Sequence, residues 1–180
     1  MKRTSYLLFT VPLLVVACST TPVPVTPTLD TYNYGEVTRY GAHYADEGIE
    51  SNVYMLDLYS PGLTLNEQGV IEGTGHNLCF SDVFTLPTDS RLQGGVTYVC
   101  NSTGRADTFL PGQDFDGNIN GAYLLDIKDG QLSSITLFTN GEFIITQTGD
   151  TTDIDIQLVT TQKTAYHAVF HAPLHYQRPL

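Results

Sequence analysis

The chain has 180 residues, including sixteen Gly, eleven Tyr and no Trp, and sets eight Lys and Arg against nineteen Asp and Glu for a net charge of −11. That anionic balance excludes a nucleic-acid binder, and also a domain that docks on anionic lipid through its own surface. Few lysines with many Thr, Tyr and Gly point to an all-β fold.

The amino terminus is an address. Lys2 and Arg3 precede the apolar stretch "YLLFTVPLLVVA", which stops at Ala17 directly before Cys18. The stretch is shorter than the ~20 apolar residues of a spanning helix and reads as a secretory signal over residues 1–17. "LVVAC" at 14–18 resembles a bacterial lipobox, which makes Cys18 the diacylated, anchoring residue. Ser19 stands where an Asp would favour inner-membrane retention, so the expected location is the cell envelope, lipid-anchored at the outer membrane. Residues 18–30 hold Pro22, Pro24 and Pro27 among Thr and Val, an extended tether at ~3.1 Å per residue. Residues 31–180 are one domain's worth. Loss of residues 1–17 removes Lys2 and Arg3 and no acid, leaving six basic against nineteen acidic groups, a net of −13.

"NYGEVTRYGAHY" and "SNVYMLDLYS" read as a hairpin around "ADEGIE", followed by a turn-rich excursion, "PGLTLNEQGVIEGTG". "HNLCFSDVF" (76–84) and "VTYVCN" (96–101) read as the arms of a second hairpin. Facing positions in that hairpin sum to about 180, which suits a disulfide between Cys79 and Cys100 in an oxidising compartment. A bond closing a loop of this size is worth about 3 kcal/mol.

Farther on, strands are expected over 121–128, 131–139, 142–148, 152–160 and 164–172. Asp129-Gly130, Asn140-Gly141 and Gly149-Asp150 are the predicted two-residue turns between them, then the looser "TQK". Ile154, Ile156 and Leu158 alternate with Asp153, Asp155 and Gln157, one face buried and one wet. The count is eight or nine strands with no amphipathic helix. An antiparallel meander of that size closes as a lipocalin-like barrel or packs as a β-sandwich, with a jelly roll as the alternative.

The lipobox and Pro/Thr tether, then "YSPGLTLNEQGVIEGTGHNL", "GGVTYVC", "DTFLPGQDFDGNINGAYLLDIKDGQL" and "TNGEFIITQTGD", resemble lipoproteins recurrent in gut Bacteroidota. In that family a "G-T-Y" strand start and an "F-x-P-G" turn are followed by a "G-x-x-x-I-x-x-x-G-D" hairpin. The resemblance spans most of 32–175 and implies an anchored all-β domain, with no catalytic motif to carry over. Cys100 departs from the family pattern.

Chemical motifs are sparse. "QDFDGNING" (113–121) sets Asp114, Asp116 and Asn118 at alternate positions, as a calcium loop does. Counted from Asp114, however, position 6 is Ile119 rather than Gly, and position 12 is Leu125 rather than Glu. A connecting loop is the expectation, with calcium the minor alternative, and no cofactor is expected. His167 and His171 share a strand face but lie too far apart, some 13 Å, to hold one metal. No G-x-S-x-G, S-x-x-K, H-E-x-x-H or phosphate loop is present, so no enzyme is expected. Tyr34, Tyr40, Tyr44 and Tyr54 cluster in sequence, and such rings stack on sugars or enclose apolar ligands. The function expected is therefore a non-catalytic binding or interaction module for a glycan, a small apolar ligand or an envelope protein. The alternative is a structural or assembly lipoprotein without a small-molecule site. A tyrosine-lined cavity would favour the first; a core filled with Ile, Leu and Phe beside an exposed sheet edge would favour the second.

Overall fold

The computed structural model describes residues 29–177, so the expected signal peptide, Cys18 and the expected tether before Leu29 lie outside the described residues. The strands are β1 (Leu29–Tyr32), β2 (Tyr34–Gly41), β3 (Asn52–Tyr59), β4 (Leu63–Leu65), β5 (Ile71–Gly73), β6 (Gly75–Thr85), β7 (Thr97–Cys100) and β8 (Thr108–Phe109). They continue as β9 (Gln113–Phe115), β10 (Asn118–Asn120), β11 (Ala122–Lys128), β12 (Gln131–Thr148), β13 (Thr151–Thr160), β14 (Ala165–Ala172) and β15 (Leu174–Gln177). The one helical element among the described residues is a 3-10 turn, Ala45–Glu47.

The architecture is all-β and built on a closed barrel. β12 pairs with β7, β7 with β8, β8 with β6, β6 with β11, and β11 again with β12, a ring of five strands. One arm of sheet leaves the ring through β13 and β14 to β1, the other through β3 and β2 to β15. The arms then exchange ends: β1 lies parallel to β14, Leu29 opposite His167, and β15 lies parallel to β2, Leu174 opposite Gly35. Residues 29–41 and 165–177 thus run side by side, and the terminal strands of the path are only four residues long.

Alternation along each strand decides what fills the ring. Phe80 of β6, Tyr98 of β7, Phe109 of β8 and Phe143 of β12 all point inward and are fully buried. Phe143 sits among the other three, its ring centroid 4.8 Å from Phe80, 4.8 Å from Tyr98 and 5.4 Å from Phe109. Offset and edge-on rings at such spacings add to the gain from burial alone. The barrel interior is a solid aromatic core, not the open cup of a lipocalin. Residues 86–93 cover one end: Leu92 enters the core, Tyr54 donates its hydroxyl proton to Asp89 O (2.9 Å), and the Tyr98 hydroxyl accepts from Gln93 N–H (2.9 Å).

Two expectations fail here for physical reasons. Asn140-Gly141 is not a turn: β12 runs unbroken from 131 to 148, and Gly141 (φ +128°) lies at a bulge where the register against β13 slips. The N-terminal part of β12 pairs with β11 and the remainder with β13, so one bent strand serves two neighbours. The Cys79–Cys100 disulfide is absent, and both thiols are free. β6 and β7 do not form a hairpin, because β8 lies between them. Cys100 faces inward opposite Phe109, whereas Cys79, one residue before inward-facing Phe80, points to the outer face. Alkylation of protein unfolded without reductant should therefore label both Cys79 and Cys100. In the native state Cys100, whose thiol is pushed up to about 11 by burial, should react slowly and fully buried Cys79 hardly at all. A linked peptide pair in an unreduced digest would contradict this arrangement.

Candidate functional site

Because the interior is filled, the accessible chemistry lies on the outside of the sheet. On the wall β2–β3–β6–β11 the register sets outward side chains in rows. Tyr34, Tyr59 and Asn77 form one row, with Glu36, Asp57, Cys79 and Tyr123 next to it. Thr38 and Met55 follow, opposite the irregular pairing at Ser81 and Asp82. Tyr40 lies at the far end of β2, six residues or about 20 Å from Tyr34.

Two hairpins flank this face. The β4–β5 hairpin carries Leu63, Leu65 and Ile71 onto Tyr59, Ile127 and Tyr34, and closes a hollow of about 480 Å³ with Pro61. The β9–β10 hairpin stands at the other end. Its base is pinned by Gly121 N–H to Ser81 Oγ (2.7 Å) and Ser81 N–H to Gly121 O (3.0 Å). Each hairpin leaves the sheet through a tight neck. A Cβ on Gly121 (φ +77°) would lie 2.0 Å from Pro111 O, and one on Gly73 (φ +96°) 2.2 Å from Gly62 O. Only glycine fits these necks.

Beside the second hairpin, Tyr40, His43, Tyr44, Val53, Met55, Ser81, Asp82 and Asn120 line a cleft of about 240 Å³. Tyr44 donates to Asp82 Oδ1 (2.7 Å) and Ser81 to Asp82 Oδ2 (2.6 Å), which fixes the carboxylate at the cleft floor. The His43 ring lies 5.9 Å from Tyr40 and 4.7 Å from Tyr44. Tyr40 is 42% exposed, with its hydroxyl 4.0 Å from Met55 Sδ. Burial and the Asp82 carboxylate hold the Tyr44 hydroxyl firmly protonated. At the opposite end Tyr34 stacks on His175 at 5.0 Å and donates to Glu36 Oε1 (2.8 Å), and burial with that carboxylate raises it to about 12.

Of the four tyrosines expected to form a site, the structure joins Tyr40 and Tyr44, puts Tyr34 on the same face at a distance, and removes Tyr54 to the core. Asp57, Asp82 and Tyr123 belong to this face and escaped the sequence reading, and Cys79, expected in a disulfide, belongs to it as well. "YMLDLY" carried the signal, because alternation against Leu56 and Leu58 puts Met55, Asp57 and Tyr59 on the opposite face.

The remaining candidates resolve simply. Asp116 and Gly117 (φ 53° and 91°) form the two-residue turn joining β9 to β10, and Asp114 Oδ1 accepts Gly117 N–H at 2.7 Å. The carboxylate that began the calcium pattern braces its own turn, and Asn118 lies in the strand opposite Phe115. His167 and His171 each face a carboxylate across the strands, Asp155 and Asp153. His76 has Asp30 Oδ2 3.2 Å from Nδ1 and Asp126 Oδ1 3.7 Å from Nε2. Among the described residues no three His, Cys, Asp or Glu side chains are grouped to hold a metal ion. A hollow of about 520 Å³ at the bend of β12 offers less, since its Tyr166 hydroxyl is bonded to Tyr32 (2.6 Å) and its His167 to Asp155.

Comparison of the chain with family models, curated proteins and solved structures finds no match. The site must be read from its own residues.

Asp57 gives the face a measurable signature. Desolvation raises its carboxyl above the ordinary 3.8, more than the neighbouring Asn77 amide and Cys79 thiol lower it, and Glu36 adds to the rise. A carboxyl raised in the folded state holds its proton better there than in the unfolded chain. It therefore weakens the fold as pH climbs from 3.8 through the folded value, and is neutral below that window. Asp57→Asn, which still accepts the Asn77 amide bond, should raise the thermal midpoint at pH 7 and lose that gain near pH 3.5. An equal loss of stability at both pH values would refute the assignment.

Proposed function

We propose that the protein is a lipid-anchored cell-envelope domain acting as a non-catalytic binding module, whose ligand seats on the outer β2–β3–β6–β11 face. The observation that carries this reading is the division of the aromatic residues. The core rings of Phe80, Tyr98, Phe109 and Phe143 are sealed inside, while Tyr34, Tyr40 and Tyr44 line hollows between two hairpins. Sites of this kind join apolar surface to a few fixed polar groups, and Asp82 held by Tyr44 and Ser81 is such a group.

Binding fits these residues better than catalysis. The Ser81 hydroxyl is committed to Asp82 and the Gly121 amide. Burial and Asp57 keep the Cys79 thiol protonated, the opposite of a nucleophile's requirement. The rival structural reading draws on the filled core and on the sheet edges at β1 and β15, but those edge strands are only four residues long.

Anchoring and binding are tested separately. A palmitate analogue fed to producing cells should label the wild type, and label persisting in Cys18→Ser would end the anchoring claim. For binding, a small-molecule fragment library is screened by NMR of labelled tyrosine rings. Hits should shift Tyr34, Tyr40 or Tyr44 and leave Tyr98 unmoved. Hits confined to the β13–β14 face, or none, would overturn the module.

A further inference from the structure

Resting on that reading, we infer that the outer face is a track for an uncharged glycan chain, gripped at the Tyr40–His43–Tyr44–Asp82 cleft and extended toward Tyr34 and Tyr59. A sugar ring has a face of C–H bonds and a rim of hydroxyls. It is bound by an aromatic plane with fixed hydrogen-bond acceptors beside it, and the cleft supplies both. The accessible ring is Tyr40. The Asp82 carboxylate is immobilised by two short hydrogen bonds, one to each oxygen, and each oxygen keeps a lone-pair direction for a further donor. The Asn120 amide and the His43 ring line the same cleft, and neither makes a side-chain hydrogen bond among the described residues.

A cleft of about 240 Å³ is small for a whole ligand, which argues for a chain whose other units lie elsewhere on the face. The path is marked out. From Tyr40, β2 presents Thr38 and Glu36 beside Met55 and Asp57, and ends at Tyr34 and Tyr59 with the second hollow of about 480 Å³. Hydroxyl partners recur along it: Glu36 Oε1 takes bonds from Tyr34 and Gln177, leaving Oε2 open. The same carboxylates set the specificity. Glu36, Asp57 and Asp82 repel uronate, sulfate and phosphate groups, so the glycan is a neutral one.

The test uses the mature chain with Cys18→Ser, screened on a broad glycan microarray and followed by calorimetry on a matched series from disaccharide to hexasaccharide. Neutral glycans should bind, with affinity that rises with chain length, and polygalacturonate should not. Tyr40→Ala should weaken every member by about tenfold, the scale of one lost ring contact, while Tyr40→Phe keeps binding. Tyr34→Ala should abolish the gain with length and spare the disaccharide. Tyr40→Phe and Tyr34→Ala also guard against misfolding, since each retains part of the binding. Binding of spermine or polylysine with no neutral glycan would overturn the inference in favour of a cationic ligand. Silence across the array also overturns it; if fragments still shift Tyr34 and Tyr40, the binding module survives without the glycan, and if they do not, both readings fall.

Discussion

The structure depends on the packing of Phe143 against Phe80, Tyr98 and Phe109. Those four side chains come from four of the five strands in the ring, and the fifth, β11, supplies the small Ala122 that leaves room for them. The two-residue strand β8 has too few ladder bonds to stay in place by itself. Phe109 keeps it there, since burying a phenyl ring is worth roughly 1.5–3 kcal/mol and removing one from a core costs about 3–5 kcal/mol. Without that wedge β6 and β7 would have nothing between them, and the ring would open.

A plugged barrel pushes chemistry outward. The inner face of β2–β3–β6 holds Val37, Leu56, Leu58, Leu78 and Phe80, whereas the outer face holds carboxylates, a thiol and tyrosines. Polar groups on a wall that is itself half covered are costly unless bonded, and most are bonded: Asn77 to Asp57 and to Leu58 O, Tyr44 and Ser81 to Asp82. The flanking hairpins keep this layer partly dry, which strengthens each such contact. Their glycine necks hold them close to the sheet without occupying it.

Local chemistry was legible from the chain and distant pairing was not. Asp129-Gly130 and Gly149-Asp150 announce turns, and the structure has both: the first takes positive φ at each residue (51° and 72°), the second at Gly149 alone (62°). Asn140-Gly141 offers the same kind of signal, but Gly141 sits in a strand that continues, and its φ of +128° together with the close approach of Gln157 O explains the glycine. The cysteine arms had the sum of a hairpin, yet a strand too short to show any period, Thr108–Phe109, separates them. Tyr54 and Tyr40 look alike in composition. They part company because the chain turns between β2 and β3, so Tyr54 follows Leu56 and Leu58 inward while Tyr40 follows Tyr34 outward.

The parallel pairing of residues 29–41 with 165–177 also governs the order in which the molecule can assemble. Contacts of such sequence separation are slow to form, because the loop between them must be closed before they stabilise anything. The meander from β11 to β14 is local and can form early. β2 can pair early with β3, but its other edge needs β15, and β1 has no ladder partner but β14, so these pairings must wait for the far end of the chain to emerge. The domain closes from its end, and until then β1 remains an open template that a chaperone or a second chain can cover.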